Sequence, residues 1–117
     1  MRLIGRLEAL AGSEESLFRA QLLREDVARL RKLQALAAGA PDRAAFVKSG
    51  MRIGWTQGDA RTHELREPLE RLLDAVYEFE RGAGQEDIIE KAWDALHRAR
   101  MEKLVGCLST PVPKPLD

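Results

Sequence analysis

The sequence predicts an all-α protein, a compact bundle of four to five helices built on an antiparallel helical hairpin. Three observations carry this. The composition leans on Ala, Leu, Glu and Arg, which favour helices, and is poor in the β-branched and aromatic residues that favour strands. Leu65, Leu69, Leu72, Val76 and Phe79 recur at alternating steps of four and three, the apolar stripe of an amphipathic helix. Gly82-Ala83-Gly84 then separates this ladder from a second amphipathic segment, and so short a turn makes the two helices antiparallel neighbours. With 117 residues, 44% of them hydrophobic and 32% charged, the chain is one domain with enough apolar material for a core.

In chain order, residues 2–11 read as a short helix with Leu3, Ile4, Leu7 and Leu10 on one side, broken by Gly12. Ser13 is the expected N-cap of a helix over 14–38, with Glu14 and Glu15 in its first turn, where the helix dipole favours acids. Its stripe is Leu22, Leu23, Val27, Leu30, Leu33 and Leu36 or Ala37, and Gly39 and Pro41 stop it. Asp42 caps a short helix over 43–48, with Phe46 and Val47 inward. Gly50, Gly54 and Gly58 predict a loop over 49–59, and Met51, Ile53 and Trp55 give it apolar side chains to pack. Asp59 or Thr62 caps the helix that runs to Arg81. The last helix covers 85–107, with Ile88, Ile89, Ala92, Trp93, Leu96, Ala99 and Leu104 inward. The domain is therefore 1–108. Residues 109–117 carry Pro111, Pro113 and Pro115 and read as an extended tail.

The net charge is zero but unevenly placed. Residues 1–58 hold 10 Lys/Arg against 6 Asp/Glu, and residues 59–117 hold 9 against 13. Opposed halves attract, within the fold or between subunits. A neutral chain is not built for bulk phosphate neutralisation, so nucleic acid is not the expected partner. Cys107 is the single cysteine, which rules out an intramolecular disulfide and fits a reducing, cytoplasmic setting. In its apolar surroundings it reads as a small hydrophobe. No apolar run approaches the roughly 20 residues that span a bilayer, and no secretory leader is expected.

One stretch suggests a specific chemistry. Thr62-His63-Glu64-Leu65-Arg66-Glu67-Pro68-Leu69 resembles the phosphoacceptor box of sensor histidine kinases. The resemblance implies that His63 accepts a phosphoryl group, that Glu64 orients and activates the imidazole, and that Pro68 bends the helix just beyond. A neutral imidazole beside a carboxylate is a suitable nucleophile near pH 7. The resemblance covers eight residues, and Glu67 stands where the family carries Thr or Asn. Read without it, Thr62 is an N-cap, Glu64 and Glu67 are first-turn acids, and His63 is a surface residue.

The remaining signals point away from a self-contained active site. There is no phosphate-binding Gly-rich loop and no nucleophile elbow, and the two histidines and one cysteine make no zinc spacing. No cofactor or metal is expected. Arg24, Arg29, Arg31 and Lys32 place basic charge along the second helix, interrupted by Glu25 and Asp26, as a solvated helix surface would be. His97, Arg98, Arg100 and Lys103 place positive charge toward a helix C-terminus. The sequence thus favours a small, non-enzymatic protein-interaction or regulatory module of bacterial-type composition. Its partner is another protein or a second copy, with Met51, Ile53 and Trp55 as contact residues. The alternatives are a histidine phosphotransfer module acting through His63 and Glu64, and a helical nucleic-acid-binding subunit using Arg24, Arg29, Arg31 and Lys32.

Overall fold

The computed structural model describes residues 1–53 and 63–109, the side chains of residues 63, 64 and 103–109 excepted. Five helices make up this part: α1 (Arg2–Ser13), α2 (Leu17–Gly39), α3 (Arg43–Met51), α4 (His63–Glu80) and α5 (Glu86–Ser109). The all-α expectation holds, and α4 and α5 form the most extensive helix pair. The second pair is α1 with α2. The pairs stack with α2 against α4 and α1 against α5, and α3 lies over α4 and α2. No helix of the described residues is long and apolar enough to cross a membrane.

The apolar stripes form the core as their spacing requires. Leu65, Leu69, Leu72 and Val76 of α4 are buried, as are Leu23, Val27, Leu30 and Leu33 of α2 and Ile89, Trp93 and Leu96 of α5. Leu3, Ile4, Leu7 and Ala11 bury the inner face of α1, and Phe46 that of α3. Two expected inward residues point out instead: Leu10 is 42% exposed and Ile88 52%.

The helix ends depart from expectation in three places. Gly12 does not break α1, which continues to Ser13. An exposed glycine within a helix costs about 1 kcal/mol relative to alanine, and the burial of Leu7 and Ala11 just before it outweighs that. Ser13 is accordingly no N-cap, and its hydroxyl donates back to the Leu10 carbonyl. Ser16 caps α2 instead, its Oγ accepting from the Arg19 backbone N–H at 3.3 Å. Glu14 and Glu15 therefore stand in the connection, where Glu14 accepts from the Ser16 N–H. Asp42 caps α3 as expected, accepting from Ala45 N–H at 2.8 Å. That helix runs three residues further than its sequence suggests, because Gly50 is itself buried. A Cβ on Gly50 would stand 2.7 Å from Leu73 Cδ2 and 3.2 Å from Leu33 Cδ2, so the bare backbone lets α3 lie flat on α4 and α2.

The turn between α4 and α5 is built as the glycines imply. Gly82 adopts φ +80°, and the N–H groups of Gly82 and Ala83 donate to the carbonyls of Phe79 and Glu78. This is the Schellman closure of a helix, which asks for glycine at the left-handed position. Tyr77 seals the α3 side of α4, between the guanidinium groups of Arg43 and Arg81 and against Phe46.

Candidate functional site

Two features of the surface and core stand out, and neither is centred on the residues singled out from the sequence. The first is a buried polar cluster joining α2 to α5. Asp26 is fully buried, although its place between basic residues suggested a solvated surface. Its carboxylate accepts from Trp93 Nε1 at 2.9 Å and from Arg29 Nη1 at 2.9 Å. Arg100 donates to both oxygens, Nη1 at 3.1 Å and Nη2 at 2.6 Å. Arg100, expected only as one of the positive charges toward a helix C-terminus, is likewise buried, at 4% exposure. Such a cluster is tolerated because the carboxylate is paired in both charge and hydrogen bonds; a lone buried carboxylate would not be.

His97 borders the cluster. Its ring stacks on Trp93, with centroids 4.5 Å apart and planes 13° from parallel. Its Nδ1 lies 2.8 Å from Arg100 Nη2. A guanidinium carries only donors, so Nδ1 accepts and the ring proton sits on Nε2. Burial first, and the Arg100 charge second, lower the His97 pKa from its ordinary 6.5.

A signal for this cluster is present in the sequence. Asp26 lies three residues after Leu23 and four before Leu30, on the apolar seam of α2. Arg100 follows Leu96 by four, on the seam of α5. A charge on a seam is where a buried pair belongs.

The second feature is a groove of about 600 Å³ along the outer face of α4 and α5. Ala75, Ala83, Gly84, Ile88, Ala92 and Ala95 give it a largely apolar lining, and Arg71, Asp74, Glu78 and Lys91 also border it. Small residues let another helix approach closely, and Ile88 offers a large apolar side chain beside its buried neighbour Ile89.

The residues expected from the sequence are dispersed. The described part of α4 begins at His63; Thr62 of the box resembling a phosphoacceptor site, and Asp59, the two expected caps, lie outside the described residues. Pro68 lies inside α4 and leaves the Glu64 carbonyl without its usual helical donor. The side chains of His63 and Glu64 lie outside the described residues, as do those of Leu104 and Cys107. Met51 and Ile53 are half-buried against the core, and Trp55 lies outside the described residues, as do residues 110–117 of the expected tail, whose first residue, Ser109, is still helical in α5. Of the basic row, Arg24, Arg31 and Lys32 are exposed. Arg31 is tied to Glu8 of α1 at 3.0 Å. Arg29 turns inward, its side chain only 14% exposed, and is held by Asp26 and Glu25. Among the described residues no group of His, Cys, Asp and Glu is placed to hold a metal.

Fold and site together define a small helical bundle with a polar joint in its core and an open groove on its principal hairpin. No protein-family model, curated protein or solved structure matches the chain.

Proposed function

We propose that the protein is a helical interaction module that receives an amphipathic helix of a protein partner in the groove between α4 and α5. The observation that carries this reading is Ile88, half-exposed over an alanine-lined floor. Helix-in-groove recognition uses such a surface: small residues set the approach distance, a large aliphatic anchors, and rim charges fix register. The rim offers both signs, Arg71 and Lys91 against Asp74 and Glu78, which suits a second copy of this neutral chain as well as a foreign helix. A cytoplasmic setting and a bacterial origin belong to the same reading and rest on Cys107 and on composition. The phosphotransfer reading rests on His63 and Glu64 alone, and the nucleic-acid reading now has Arg29 turned inward.

A photo-crosslinking amino acid at position 88, compared with one at exposed Lys32, tests the groove in native cells. Discrete adducts from position 88, absent from position 32 and lost on Ala92→Arg, are expected. Identical adduct patterns from both positions would overturn the groove as the binding face. Sedimentation of the purified chain distinguishes a second copy from a foreign partner.

A further inference from the structure

We propose that Asp26, Arg100 and His97 form a latch between α2 and α5 that loosens when His97 takes up a proton. Arg100 is its moving part. One guanidinium nitrogen, Nη2, serves both the buried Asp26 carboxylate at 2.6 Å and His97 Nδ1 at 2.8 Å. The second contact exists only while Nδ1 has its lone pair. Protonation puts an N–H against an N–H and sets a second cation beside Arg100. The ring must then turn off Trp93, or the guanidinium must withdraw from Asp26, the joint between the two helices.

The groups facing His97 set the balance. From α5 these are Arg100 and Asp94; from α2 they are Asp26 and Arg19, with Arg29 behind Asp26. From α1, Arg6 stands over the Trp93 ring and pairs with Asp94 at 2.9 Å. Asp94 and Asp26 favour the imidazolium; burial, Arg100 and Arg19 oppose it more strongly. The folded state therefore holds the His97 proton less well than the unfolded state does. Stability from the latch is complete above pH 6.5 and is lost as pH falls from there through the lower folded value. For each unit between the two values, the open form gains about tenfold in population across that window.

The test is nitrogen NMR of the full chain carrying His63→Gln, so that His97 is the sole histidine, with amide hydrogen exchange of α2 and α5 at the same pH values. The expected result is the Nε2–H tautomer at neutral pH and a titration midpoint below 6.5. Amide protection, corrected for intrinsic exchange, should fall through that midpoint. His97→Gln keeps an acceptor for Arg100 and cannot titrate, so its protection should stay level. An Nδ1–H tautomer at neutral pH overturns the latch. So does a midpoint at or above 6.5, or an equal protection loss in His97→Gln. Should that variant fail to fold, tautomer and midpoint in the His97-containing chain still decide.

Discussion

A single buried carboxylate joins residues far apart in the sequence across the core. Asp26 receives Arg100 and Trp93, 74 and 67 residues away, and Arg29 from its own helix. Removing one member of a buried pair strands the other charge, which costs far more than the pair contributes. Asp26→Ala should therefore destabilise the fold by about 3–5 kcal/mol, read as a lowered urea midpoint. The double variant Asp26→Leu, Arg100→Met replaces the pair by apolar volume and should recover most of that loss. A double variant as unstable as Asp26→Ala would show that the cluster contributes beyond charge compensation. Asp26 also marks a limit of reading residues one at a time. A window around it holds Arg24, Glu25, Arg29 and Arg31 and averages to a polar surface. Only its register with Leu23 and Leu30, and the matching register of Arg100, point inward, and nothing local says that the two meet.

At the scale of elements, local rules set which helices form and tertiary contacts set where they stop. The α4 stripe and the Asp42 cap are short-range patterns, and both stand as read. Gly12 and Gly50 are the informative failures, because glycine signals a break only where packing offers nothing in exchange. At Gly12 the burial of α1 carries the helix past it. At Gly50 the lack of a side chain is the packing. This distinction makes the glycines a graded test. Gly5 sits exposed inside α1, and a Cβ added there would meet nothing within 4 Å, so Gly5→Ala should stabilise by about 0.5–1 kcal/mol. Gly82→Ala meets open space but a positive φ and should cost about 1–2 kcal/mol. At Gly84 a Cβ would lie 2.6 Å from the Phe79 backbone nitrogen. Backbone cannot yield as a side-chain tip can, so Gly84→Ala should cost the most of the three. Thermal denaturation of the three variants checks the order, and a neutral Gly84→Ala would mean that the α4–α5 turn re-forms differently. The same turn positions Gly84 and Ile88 for the proposed groove, so partner binding should fall with Gly84→Ala and not with Gly5→Ala.

Across the whole molecule, the uneven charge read from the sequence has a partial structural counterpart. Arg2 of α1 pairs with Glu86, Asp87 and Glu90 of α5, and Arg6 with Glu90 and Asp94. The rising order on both helices shows that α1 and α5 run parallel, which brings the basic start of the chain onto the acidic start of its last helix. The apolar face of α1 packs mainly along α2, whereas its outer edge reaches α5 through charge. Arg2, Arg6, Asp87 and Asp94 are exposed, Glu86 and Glu90 only in part, so most of this attraction is open to screening. At 1 M salt the screening length shrinks to about 3 Å, comparable to the pair distances themselves. Raising salt from low ionic strength should loosen α1 against α5 while leaving the apolar α4–α5 hairpin closed. Hydrogen exchange resolved by helix reads this directly, with faster exchange expected in α1 and little change in the α4 amides from 69 to 76. Arg2→Gln with Arg6→Gln should reproduce the α1 effect at low salt and abolish its salt response. Uniform acceleration from α1 through α5 would instead mean that α1 unfolds only with the whole bundle, and that the charge pairing between the chain's two ends is not what seats it.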